Sequence, residues 1–423
     1  MTVRFPLAAL VVIAGLLSGW SSASLHAADD RDVILRKNGT RIAAYIESET
    51  TAGVSYRTIK PTSDTPPKPQ ILKLSELSLI TYAGMDGGAW AKGQSERDAG
   101  NYETAAEFFN QLATTGTREW EKVYGAIAEG ECWELARKHG DAAKAFGVVV
   151  KGFAGNPATK PPLLAHRLWL DAKYRMGMSY AQAKSPEADK IAQELEEMGK
   201  KEGVSAAESR ANAIRAAKFA ADGNAVKFNE FMKKATLRIF DEPEVWFHFK
   251  LFSAESYRQS FKKGKEAAQI YREILNGLAD DPARQAQISL GLGLTLMEND
   301  RESALIELLK LDVLPYGSPD QKCEARYNAG RLLWESAQAI KANAEAMKDE
   351  KKANFVKETE RSARLVVAAA ADGPPKNPNV DLAKALLSSF GVDPDAPKPK
   401  EEKKDATTPA AKKEEPKKEP AKK

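Results

Sequence analysis

Cysteine occurs twice in 423 residues, too seldom for a disulfide-stapled scaffold or a cysteine-rich metal protein. Histidine is almost as scarce at four, and no two stand at His-x-x-x-His spacing. Charge of one sign is missing too. Lys and Arg number 63 against 59 Asp and Glu, and a net charge of +4 gives no electrostatic case for a specific nucleic-acid binder. Long apolar runs are absent: residues 7–17 form a run of eleven, whereas a membrane span needs roughly 18 or more. Two glycine motifs fall short of a phosphate loop. Gly264-Lys265 has no glycine five positions before it, and Gly291-Leu292-Gly293 has no strand in front. No Gly-x-Ser-x-Gly elbow occurs.

What is present divides the chain into four parts. Residues 1–28 read as a signal peptide, with Arg4 as the positive start and residues 7–17 as the apolar centre. Ser21, Ser22, Ala23, Ser24, Ala27 and Ala28 supply small residues for cleavage. Leu17-Ser18-Gly19 is followed by Trp20, where a lipoprotein would carry its acceptor cysteine. The expectation is an exported, periplasmic or extracellular protein, with no lipid and no transmembrane anchor after cleavage. Residues 393–423 are rich in Lys, Pro, Glu and Ala, with nothing but alanine to bury. Such a segment cannot offset its ordering entropy, so a disordered tail is expected, with a weak contact to anionic polymer as its sharpest role.

Residues 29–84 have period-two patterning. Short strands are expected at 33–35, 42–46, 54–56, 71–74 and 79–82. Asn38-Gly39 between the first two is a hairpin signal, because both turn residues need positive φ. Asn38-Gly39-Thr40 also fits a glycosylation acceptor, but the turn explains the same residues more simply. Five strands in so short a stretch resemble, in pattern only, a small SH3-like or Sm-like barrel.

Helical periodicity occupies residues 85–392, and one stretch carries a repeat signature. Trp90 and Gly93 come first, then Gly100-Asn101-Tyr102, Ala105 and Phe109. Gly93 and Ala105 let two helices approach, Gly100 turns the chain, and Tyr102 and Phe109 fill the space between. This stretch resembles the tetratricopeptide repeat, a helix–turn–helix unit. Weaker echoes follow: Gly140-Asp141 with Ala145, Val149 and the closing Pro157; Gly223-Asn224 with Phe228; Gly264 with Tyr271; Asn299-Asp300 with Leu308. Gly291 and Gly330 take the small-residue slot of two first helices, and residues 163–198 form a pair with no glycine turn. About seven pairs result. The fold class expected is mainly α: a right-handed solenoid like that family's, preceded by a small β-barrel-like domain.

Chemistry is harder to find. Cys132 and His139 are seven apart and would share a face of one helix, but two ligands do not make a zinc site. His139 beside Gly140 reads as a C-terminal helix residue. Cys132 and Cys323, about four repeats apart, would stand on the order of 40 Å from each other at roughly 10 Å per repeat, so both are expected buried and reduced. Trp120, Trp133, Trp169 and Trp334 read as packing. Residues 244–252 hold the densest aromatic cluster, with Trp246, Phe249 and Phe252 on one stripe and Phe247 and Leu251 on another. Trp246 and Phe249 are the candidates for gripping a partner. No catalytic, metal or cofactor site is expected.

The resemblance implies a non-catalytic exported scaffold that binds a protein or peptide partner of the envelope in the concave face of its solenoid. The alternative is an enzyme, or an accessory to one, of envelope polymer metabolism. Its site would lie between β unit and solenoid, near Asp86, Arg97 and Asp98.

Overall fold

The computed structural model describes residues 31–60, 68–155, 165–238, 242–277, 282–313, 317–343, 346–375 and 377–390. The signal-peptide segment, the 393–423 tail and Pro157 lie outside them.

Five antiparallel strands come first: β1 (Asp32–Arg36), β2 (Arg41–Thr50), β3 (Gly53–Arg57), β4 (Gln70–Leu72) and β5 (Leu77–Thr81). Their order across the sheet is β4-β3-β2-β1-β5, with a single 3-10 turn, Leu74–Glu76, between the last two in sequence. Asn38-Gly39 closes the β1–β2 hairpin. Gly39 takes φ +83° but Asn38 does not take positive φ, so only one of the two expected left-handed residues is used, and the Thr40 N–H donates to Asn38 Oδ1 at 3.0 Å. Strand alternation points Ile34, Ala44 and Val54 to one side, where all three are fully buried. They do not form that core alone. Trp120 from the helical region packs into it, with Trp90, Leu112 and Tyr124 at its edge.

Fifteen α-helices follow among the described residues, as seven successive pairs and a closing helix. The pairs are α1 (Gly88–Asp98) with α2 (Tyr102–Thr115), α3 (Glu119–Leu135) with α4 (His139–Gly152), and α5 (Trp169–Gln182) with α6 (Glu187–Glu202). Next come α7 (Ser205–Ala221) with α8 (Ala225–Lys234), α9 (Pro243–Glu255) with α10 (Gly264–Gly277), and α11 (Pro282–Leu296) with α12 (Arg301–Val313). The long pair α13 (Pro319–Lys341) and α14 (Glu350–Ala371) precedes α15 (Pro378–Ser389). Each helix packs mainly on its neighbours in sequence.

The turns inside the first four pairs are one structure used four times. In each, an N–H reaches back five residues to a helix carbonyl: Asn101 to Glu96, Lys138 to Trp133, Ser185 to Tyr180 and Asn224 to Phe219, at 2.8–2.9 Å. This closes the helix with a left-handed residue, and glycine supplies it at Gly100 (φ +81°) and Gly223 (φ +72°). Arg137 (φ 59°) and Lys184 (φ 55°) supply it in the other two. That corrects the Gly140-Asp141 turn. The chain turns at Arg137, and Gly140 lies within the first turn of α4 with no atom close to where its Cβ would be. Cys132 and His139 therefore sit on different helices, and His139 begins α4 rather than ending α3. Gly264 likewise begins α10, the left-handed residue being Lys262 (φ 55°).

Close approach between paired helices is set by glycine against a large side chain. A Cβ on Gly93 would lie 2.8 Å from the Phe109 ring. The same sixteen-residue step recurs in the second pair, where a Cβ on Gly130 would lie 2.6 Å from Phe146. The register of that repeat is thus Gly130, Ala142 and Phe146. Ala145 and Val149 are also buried, at 3% and 0% exposed, without filling that slot.

Two large apolar clusters meet at α9. Val245 and Phe249 pack with α4 to α8, while Trp246, Phe247 and Leu251 pack with α10 to α13. The ends of the array also meet. A Cβ on Gly100 would lie 2.2 Å from Ser318 Cβ and 3.0 Å from Pro319 Cδ, so the α1–α2 turn rests against the start of α13. The array curls back on itself, and a straight 10 Å per repeat does not measure the distance between Cys132 and Cys323. Both thiols are buried and free, in separate clusters.

Candidate functional site

The curl encloses a cavity of about 330 Å³. Its wall is built mostly by first helices: Arg97 from α1, Glu131 and Glu134 from α3, Tyr174 and Arg175 from α5, and Phe247 and His248 from α9. Arg284 and Gln287 of α11 complete that side. Second helices contribute little beyond His139 and Phe146 of α4.

Charge on this wall is paired across the helices. The Arg175 guanidinium bonds both Glu131 and Glu134, and Arg97 stands 3.5 Å from Glu131. The Ser179 hydroxyl donates to Glu134 at 3.0 Å, and His248 Nε2 faces the same carboxylate at 3.5 Å. Burial alone would raise Glu134, but Arg175 and His248 hold it far below the usual carboxylate range. Glu131 is also lowered against its burial, by Arg175, Arg97 and Arg284. Arg175 lies over the Phe146 ring at 4.8 Å, and Arg284 over Phe247 at 4.6 Å while bonding Glu244 at 2.6 Å. Glu255 accepts from Tyr271 and Arg258 at 2.6 Å each, and Asp171 accepts from Arg210 at 2.5 Å. At α9 the helix ends in one wide π turn, Ser256–Ser260, which brings Gln259 to the wall.

Tyr174 breaks this pattern of satisfaction. It is fully buried, its hydroxyl has no hydrogen-bond partner, and burial pushes its pKa upward. Its ring meets His248 edge-on, with centroids 5.8 Å apart, and His248 Nδ1 is also without a partner. His139 Nδ1 is a third such atom, on a ring whose pKa is lowered by burial.

The residues chosen from the sequence lie mostly elsewhere. Trp90 stacks edge-on against Phe109 at 5.3 Å, Tyr102 is 9% exposed, and Ala105 and Phe109 are fully buried, all in the first pair. Trp246 and Phe249 are buried at 7% and 3% and do not line the cavity. Phe247 and Leu251 of the other stripe line it, and so does Phe252 from the first. The sequence showed both stripes, but nothing in it showed which of their residues look inward.

Where the β unit meets the helices there is a second polar cluster, without a cavity described at it. Glu49 of β2 is 2% exposed and accepts from Tyr82, from Tyr124 at 3.0 Å and from Arg167, with His166 at 3.7 Å. Close by, Asp32 binds the Arg118 guanidinium at 2.7 and 2.8 Å. Asp86 and Asp98 are exposed, and Arg97 turns to the central cavity. The three do not assemble.

Among the described residues, no helix is long and apolar enough to cross a membrane. No known protein family matches this chain, and no curated protein matches it.

Proposed function

We propose that this chain is an exported, non-catalytic scaffold of the tetratricopeptide type, which holds a protein or peptide partner against its inner wall. The observation that carries the reading is the origin of that wall. First helices of five pairs turn charged and aromatic side chains into one cavity, while the second helices lie largely outside it. The repeated turn, and the recurrence of Gly93–Phe109 as Gly130–Phe146, support the family reading. The sheet order with a 3-10 turn before β5 supports the SH3-like reading of the β unit. At the junction, Glu49 and Asp32 spend their oxygens on tyrosines and arginines of the fold. That favours a structural latch over the alternative of a polymer-processing site there.

Selection of peptides from a random displayed library on the full chain tests this. Enriched peptides should lose binding to Gln287→Trp, which puts a bulky side chain into the cavity from a half-buried wall position. Peptides that bind that variant as well as the parent would place the binding surface elsewhere.

A further inference from the structure

Every carboxylate lining the cavity already has its cation. Glu131 and Glu134 share Arg175, Glu244 bonds Arg284, Asp171 bonds Arg210, and Glu255 bonds Arg258. The cations are not all matched in return. Arg97, Arg175, Arg284 and His248 face those carboxylates, but the Arg137 guanidinium makes no ion pair or hydrogen bond among the described residues. Arg175 Nε also lacks a partner, but it is sealed from solvent, so no ligand reaches it unless the wall moves. Arg137 is exposed at the α3–α4 turn and still lines the cavity, which puts its charge at the mouth. Nothing beside it answers that charge. Glu324 of α13 feels Arg137 without pairing with it, and His139 has its pKa lowered by burial first and by Arg137 among its neighbours. A cationic ligand would have to take a carboxylate from its wall arginine and leave that arginine uncompensated. An anionic ligand displaces nothing at Arg137, whose planar guanidinium can give a carboxylate two parallel N–H donors. Leu135 and Phe146, from the two helices that this turn joins, line the cavity and offer apolar contact to the rest of the ligand.

We propose that the cavity takes a carboxylate-bearing peptide, its carboxylate held by Arg137 at the mouth and its apolar part lying against Leu135 and Phe146. The carboxylate is that of a chain end or of an acidic side chain, one chemistry from two sources. The proposal rests on the peptide-scaffold reading and narrows it to the charge that the ligand carries.

The probes are N-acetyl-Ala-Leu-Ala with its carboxylate free, the same peptide as its amide, N-acetyl-Ala-Glu-Ala-amide and N-acetyl-Ala-Lys-Ala-amide. Each is titrated into the full chain by calorimetry. At low salt a carboxylate peptide should bind about tenfold more tightly than the neutral amide, the worth of one charge-assisted pair. Added salt should erode the difference. Preference for the free chain end over the glutamate peptide names the first source, and the reverse names the second. Arg137→Gln should remove the advantage, Arg137→Lys should keep part of it, and Gln287→Trp should abolish binding. The Arg137 side chain is exposed and pairs with no described residue, so both of its variants should melt with the parent. That separates lost recognition from lost folding. Equal affinity for acid and amide, tightest binding of the lysine peptide, or an advantage that survives Arg137→Gln would overturn the inference and leave the peptide-scaffold reading standing. Binding indifferent to Gln287→Trp would overturn it and move the binding surface off this wall. Failure of every probe to bind would overturn it too, with the broader reading then decided by the library selection.

Discussion

At Arg175 one guanidinium from α5 answers two carboxylates of α3, and the next cations, Arg97 beside Glu131 and His248 beside Glu134, stand farther off at 3.5 Å each. Replacing it with methionine keeps the stacking volume over Phe146 but leaves Glu131 with Arg97 at 3.5 Å, and Glu134 with the Ser179 hydroxyl and His248, in place of a directly bonded guanidinium. Arg175→Met is expected to cost about 3 kcal/mol, the low end for breaking a buried pair, read as a lower urea midpoint at unchanged slope. Glu49 sets a pH limit. Burial raises its pKa, but the nearby His166, the Arg167 charge and the Tyr82 hydrogen bond outweigh that and lower it from 4.5 to about 2. A carboxylate depressed on folding contributes stability in full above its unfolded value, and loses it as pH falls through the folded one. The window is therefore pH 4.5 down to about 2, and the stake is about 3 kcal/mol at 1.36 kcal/mol per unit. Glu49→Gln should be less stable at neutral pH and show a flatter acid limb over that window in a pH series of denaturant titrations. None of these pairings was visible in the sequence. Arg175 and Glu131 are forty-four residues apart and Glu49 and Arg167 are separated by 118, and only the curl and the latch bring them together.

Among the helices, glycine divides into positions that are crowded and positions that are not. A Cβ on Gly330 of α13 would lie 2.3 Å from Val367 Cγ2 and 3.2 Å from that residue's backbone nitrogen, so the two longest helices could not keep their spacing. Gly140, inside the first turn of α4, meets nothing within 4 Å. Gly330→Ala should destabilise by about 1–3 kcal/mol through overpacking, whereas Gly140→Ala should be neutral or gain about 0.5–1 kcal/mol from helix propensity. Thermal melts of the two variants check the contrast. The sequence made pair number and order readable, because glycine or alanine opposite an aromatic recurs, and Ala105, Phe109, Ala267 and Tyr271 are all buried where the periodicity puts them. It misled at the turns. A left-handed residue exposed to solvent need not be glycine, so Arg137 and Lys184 did the work while Gly140 drew the eye.

For the molecule as a whole, the β unit and the first helices share one core, since Trp120 stacks on Tyr82 at 5.2 Å and packs with Ile34 and Val54. Removing residues 29–84 should therefore expose Trp120 and destabilise the array, seen as a red-shifted tryptophan emission and a lower melting temperature. A pull-down with that truncation would report lost folding as well as lost contact. The curl itself could not be read from periodicity, which fixes which helices pair but not the small rotation each pair adds to the last. The closure it produces is measurable by pulsed electron–electron resonance between spin labels at the exposed positions Ala99 and Asp320, leaving the buried Cys132 and Cys323 unlabelled. A straight array would put those sites roughly 60 Å apart, six steps of about 10 Å. The contact of Gly100 with Ser318 and Pro319 requires a single narrow distribution at well under half that distance; a broad distribution near the straight-array value would mean the ring is open and the inner wall is no cavity.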